Sequence, residues 1–134
     1  MTVWVAGAGV LFTGDIVVHP VPYVFGAWPR PWIPVLRALE TMPVKALVPG
    51  HGPVFGDLSY TRQVRELLEA AESRMDSLLR LGKTQAEAQR ILTLDDFRAR
   101  FVKEGDVNGA VYWDASIKNG LVERTYQCAI GSRC

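Results

Sequence analysis

Two histidines and two cysteines are all that this 134-residue chain offers in the way of soft metal ligands. A histidine-dense or cysteine-dense metal centre is therefore excluded. Both cysteines, Cys128 and Cys134, stand at the C-terminal end. A disulfide framework would spread its cysteines along the chain, so these two read as ordinary thiols, with a local bridge in an oxidising compartment as the alternative. No excess of one charge exists: the formal net charge is +1, which gives no electrostatic footprint for nucleic acid or an anionic membrane surface. The apolar start, Met1 to Phe12, has no Lys or Arg before it and is too short to span a bilayer. The default expectation is a soluble, cytoplasmic protein of one domain.

Proline is absent after Pro53, although the chain holds eight. Charge is scarce before that point: residues 1–57 carry six charged side chains and the remaining 77 carry 23. The first part thus reads as buried strands and shaped loops, and the second as solvated amphipathic helices. "TVWVA" and "VLFTGDIVV" are β-rich runs around a short Gly loop, a hairpin signal. "PWIPVLRALETM" predicts a short helix with Ile33, Leu36, Leu39 and Met42 as its apolar stripe, Pro31 and Pro34 being tolerable only in its first turn. "VKALV" predicts a strand ended by Pro49 and Gly50.

Beyond Ser59 the period becomes helical. Val64, Leu67, Leu68, Ala71, Met75, Leu78 and Leu79 share one face of a helix that ends at Gly82. Thr84 and Glu87 form a capping-box pattern for a helix from Gln85 to about Leu92. Thr93 is the expected cap of another, with Phe97, Phe101 and Val102 on its buried side, and Asn108 to Tyr126 is expected to be helical despite Gly109 and Gly120. The expected class is α/β in the broad sense (α+β), with strands in residues 1–58 and a helical extension over 59–134 packing on the same domain.

Three polar residues stand out in the apolar part: Asp15, His19 and His51. An acid at the end of a buried strand needs a partner, a turn to cap, or a metal. His51 stands between two glycines in "LVPGHGPVFGD", a setting that suits an ordinary turn as well as a metal ligand. Taken together, "TVWVAGAGVLFTGDIVVH" followed by "WIPVLRALETMPVKALVPGHGPV" resembles the C-terminal half of the metallo-β-lactamase superfamily of metal-dependent hydrolases. The resemblance covers residues 1 to about 60. It implies half of an αββα sandwich, with Asp15 as the carboxylate bridging two metal ions and His51 as a ligand of the second. It implies zinc as the cofactor, with iron or manganese also suited to such ligands, and hydrolysis of an ester, amide, thioester or phosphoester. The loop from His19 to Arg30 falls where the family shapes substrate access. His19, Tyr23, Phe25 and Trp28 are the candidate pocket residues, a reading that competes with plain core or dimer contacts.

The family's His-x-His-x-Asp-His motif is absent, and with two histidines in the whole chain it has no equivalent here. Asp15 and His51 are too few for a two-metal centre, and Cys128 and Cys134 stand at no family ligand position. The expectation is a truncated hydrolase, inactive alone, that needs a complementary N-terminal half. The alternative is a non-catalytic dimerisation or interaction module in which a second copy covers the open sheet face. A third reading is an unrelated α+β binding domain that presents its helices to a partner.

Overall fold

The computed structural model describes residues 1–134. A three-stranded sheet in the order β1 (Val3–Val5), β2 (Val10–Val18), β3 (Ala46–His51) is built from an antiparallel hairpin and a parallel crossover through α1 (Pro29–Glu40). The hairpin forms where expected. β3 does not stop at Pro49: it runs on through Gly50 to His51. Proline is tolerated there because β3 is an edge strand.

Helix α1 begins two residues earlier than the sequence pattern suggests, with Pro29 at its start. Pro34 consequently lies inside the helix rather than in its first turn, on an exposed position. The buried stripe is Trp32, Leu36 and Leu39, with Ile33 and Met42 only partly covered. Next come α2 (Ser59–Arg80), α3 (Gln85–Ile91), α4 (Asp95–Phe101) and α5 (Val107–Tyr112); a π-helical segment over Trp113–Leu121 then leads directly into α6 (Val122–Ala129). The capping box at α3 is complete, with Thr84 and Glu87 each bonding the other's backbone N–H. Thr93 does not cap α4: Leu94 stands at that position without a side-chain bond, and Asp95 and Asp96 supply the favourable acidic first turn instead.

One hydrophobic core draws on both parts of the chain. Leu11 and Leu47, partners across β2 and β3, meet Leu36 of α1, Val64, Leu67, Leu68 and Met75 of α2, and Trp113, Ile117 and Leu121 of the π-helical segment. The α1–α2 seam is edged by arginine forks: Arg65 bonds both Glu40 and Glu69, and Arg37 also reaches Glu69.

The opposite face of the sheet is bare. Val3 pairs with Phe12 and Phe12 with Val48, so these side chains share one side. Val3, Val5 and Phe12 are 49%, 43% and 43% exposed. The class is thus mixed α+β, with helices covering one sheet face.

At the C-terminus, Cys128 and Cys134 are joined by a disulfide, which overturns the expectation of ordinary thiols. The chain reverses after α6, where the amides of Ser132 and Arg133 both donate to the Gln127 carbonyl, and this fold-back returns Cys134 to Cys128. Neither sulfur is then a free thiolate for a metal. No helix is long and apolar enough to cross a membrane.

Candidate functional site

Parallel pairing brings the C-terminal ends of β2 and β3 to one rim of the sheet, the edge on which open α/β sheets place their ligands. Asp15 and His51 both stand there. Two irregularities in the pairing, between Phe12 and Gly14 and between Gly14 and Val18, re-aim β2 at this point. Gly14 has a φ of +53°. The outcome is an Asp15 Oδ1 to His51 Nε2 separation of 3.6 Å, with the two side chains 67% and 72% exposed.

The glycines on either side of His51 have separate steric duties. A Cβ on Gly50 would collide with the Asp15 carboxylate and with the backbone of Gly14 and Asp15, so Gly50 makes the space in which Asp15 lies. Gly52 takes a φ of +105°, and a Cβ there would come within 2.6 Å of the His19 Cβ. His19 is tied to the same rim by its backbone amide, which donates to the His51 carbonyl at 3.0 Å.

The His19 ring packs against Phe55 and Tyr60, with centroids 5.6 and 5.2 Å away. Tyr60 is itself an anchor of this rim, because its hydroxyl proton is shared between the carbonyls of Val18 at 2.7 Å and Pro20 at 3.0 Å. Burial raises the Tyr60 pKa and keeps that hydroxyl protonated. Burial lowers the His19 pKa below the ordinary histidine value; Lys103 adds to the depression and Asp106 opposes it. A neutral imidazole is therefore the native form. Unfolding would release a histidine that protonates near its ordinary value of 6.5, so the contribution is full above that pH and declines as pH falls through the lower, folded value. Thermal melts at pH 7.5 and 5.5 should show a fall in Tm for the wild-type chain that is smaller in His19→Gln; equal falls in both would refute the assignment.

Next to the pair lies a cleft of about 480 Å³. The expected pocket residues divide between two places. His19, Tyr23 and Phe25 line this cleft together with His51. Trp28 does not: it edges a separate groove with Asp15 and Trp32, under the Arg124 guanidinium 4.7 Å from its ring centroid. Tyr23 borders both. The far wall, Val111, Tyr112, Ala115 and Ser116, comes from α5 and the π-helical segment. Nothing in the sequence around Val111 signals this role, since the segment is placed there by contacts some ninety residues long, such as Ser116 Oγ donating to the Pro22 carbonyl at 2.6 Å.

As metal ligands, Asp15 and His51 suit one ion. Two donors at zinc–ligand distances on a tetrahedral centre stand about 3.4 Å apart, close to the 3.6 Å found. No group of three His, Cys, Asp or Glu side chains is gathered anywhere in the molecule, so Asp15 and His51 alone do not complete a metal centre. No protein-family model matches the sequence, and no curated protein matches it either.

Proposed function

We propose that this chain is the C-terminal half of a metallo-β-lactamase-type, metal-dependent hydrolase, carrying Asp15 and His51 as its share of the metal ligands and dependent on a complementary N-terminal half for the rest. The observation that carries the reading is the meeting of Asp15 and His51 at 3.6 Å on one exposed rim, from positions 36 residues apart. An acid and an imidazole left this open need no partner for folding, and their donor atoms face outward where a second set of ligands can reach. Zinc is the best match to one carboxylate and one imidazole, with iron or manganese as alternatives. Bound there, the ion would supply Lewis acidity, lowering the pKa of a water and polarising the scissile bond.

The bare sheet face supports the same reading. Val3, Val5 and Phe12 present an apolar layer of the kind that a second sheet would cover, giving the αββα sandwich. The same face favours a second reading, a dimerisation module in which two copies cover each other and Asp15 and His51 hold no metal. A cytoplasmic location belongs to either version only with Cys128 and Cys134 reduced, because disulfides persist in oxidising compartments.

Calorimetric titration with zinc chloride separates the two. Under the hydrolase reading, the two-ligand half-site of the wild-type chain binds zinc only weakly, in the millimolar range and at no more than one ion per chain, and His51→Ala and Asp15→Asn each weaken that binding by about tenfold or more. Neither variant should lose more than about 0.5 kcal/mol of stability, as both side chains are exposed. Zinc binding that survives both substitutions, or none in the wild type, would leave the dimerisation module.

A further inference from the structure

We propose that the cleft beside the Asp15–His51 rim takes the uncharged, apolar acyl portion of a carbonyl substrate (an ester, thioester or amide) and disfavours phosphoesters and nucleotides. The inference rests on the hydrolase reading for the chemistry of the bond, and on the cleft itself for the choice among bonds.

The lining decides against a charged ligand. Among its twelve residues there is no Lys, Arg, Asp or Glu. Phosphate recognition draws on cationic side chains or on a cradle of backbone N–H groups. This cleft has neither: the loop along one side contains Pro20 and Pro22, which carry no N–H to donate. The Ser116 hydroxyl is already engaged, donating to the Pro22 carbonyl and accepting from the Val24 amide at 3.3 Å.

What remains is an apolar mouth. Tyr23 and Phe25 stand edge to face at 5.4 Å on one side, with Val111 and Tyr112 on the other. All four are 45% or more exposed, an arrangement that costs hydrophobic free energy unless something covers it. The volume of about 480 Å³ is that of a small-molecule site. His51 is in the lining, so a group seated there has its end at the metal-ligand rim.

The mouth is also held rigid, which favours binding by removing the ordering cost. Ser116 fixes the Pro22–Val24 segment. Arg124 donates to the carbonyls of Phe25 and Ala27. A Cβ on Gly120 would stand 2.9 Å from Val24 and 3.2 Å from the Phe25 ring, so the glycine lets the π-helical segment close on the loop. The helical extension thus acts as a specificity wall for the rim.

Amide-resolved NMR titration tests this, with benzamide as the neutral probe and phenyl phosphate as the charged one bearing the same ring. Without zinc, benzamide should shift the amides of Val21, Tyr23, Phe25, Val111 and Ala115, and phenyl phosphate should leave them still. Ala115→Trp, which fills the cleft from an exposed helix position, should weaken the benzamide response by about tenfold or more. Should that variant misfold, Val111→Asp at a 61% exposed site makes the same test. Shifts confined to Val3, Val5 and Phe12, equal binding of phenyl phosphate, or no effect of the cleft variants would overturn the inference. A zinc titration of the same sample distinguishes the two proposals. Benzamide binding without zinc binding sinks the hydrolase reading and leaves an apolar ligand site; zinc binding without benzamide binding sinks only the cleft.

Discussion

Gly50→Ala is expected to destabilise the chain by about 1–3 kcal/mol, the usual cost of forcing a methyl group into a filled space. The sign is diagnostic. A glycine replaced by alanine where the backbone permits it normally gains about 0.4–1 kcal/mol, through a less flexible unfolded chain. Here the added Cβ would lie 2.7 Å from the Gly14 carbonyl carbon and 2.8 Å from the Asp15 nitrogen. Those are backbone atoms of the paired strand and cannot rotate away, so β2 and β3 must part. The Asp15 carboxylate, which occupies the same space, must leave as well, and His51 is the next residue along β3. The substitution should therefore lower the urea midpoint and, under the hydrolase reading, weaken zinc binding with it. Asp15→Gly in the Gly50→Ala background removes the carboxylate clash and leaves the backbone one, so it should recover only part of the stability. A Gly50→Ala chain as stable as the wild type would mean that β3 does not pass Gly14 and Asp15 in this register.

Trp113→Ala should cost more, about 3–5 kcal/mol, the range for emptying a large aromatic site in a core. Trp113 is fully buried. Its ring lies 5.7 Å from Phe101, Phe101 lies 5.9 Å from Tyr60, and Tyr60 stacks on Phe55 at 5.0 Å and packs on His19. Loss of the indole at one end of this aromatic series thus removes support from Tyr60, whose hydroxyl secures Val18 and Pro20 beside the rim. Such a loss is a large share of the stability of an ordinary domain. Trp113→Phe should be far milder than the change in volume implies. The indole Nε1 is buried without a hydrogen-bond partner, so phenylalanine removes an unmet donor along with the lost contacts. Urea denaturation of both variants checks this: a Phe variant as damaging as the Ala variant would mean that Nε1 is satisfied in solution.

The features readable in advance were those decided within one or two turns of chain. The Gly-rich hairpin, the buried face of α2 and the Thr84–Glu87 capping box each depend on near neighbours, and each formed at its expected place. Local signals mislead where a distant partner overrides them. Pro49 and Gly50 read as strand breakers, yet pairing with β2 carries the strand on to His51. Thr93 has the chemistry of a cap, but the helix starts beyond it and the Thr93 carbonyl instead receives Arg74 from α2. The π-helical segment had no signature beyond an unexplained Gly120, whose reason lies across the molecule at Val24 and Phe25. For the site, motif likeness pointed to Asp15 and His51, and the fold brings them side by side. The cleft wall had no such pointer, because Val111 and Ala115 on an exposed helix face resemble any solvated position until the loop at residues 20–25 is laid against them.

The two connections that leave the rim differ in how freely they could vary. Between Gly52 and Asp57 the chain is almost entirely at the surface, held where Gly52 closes on His19 and where Phe55 bridges to Leu47 and packs its ring on His19 and Tyr60. Insertions or exchanges around Pro53 and Val54 would disturb no buried side chain. The connection from Pro20 to Ala27 has no such licence: Val21, Pro22 and Val24 are buried, and Ser116, Gly120 and Arg124 grip it from the other end of the sequence. Change there requires a matching change some ninety residues away. Diversification of this scaffold would accordingly run through one loop as single steps, and through the other only as paired substitutions with the π-helical segment and the start of α6.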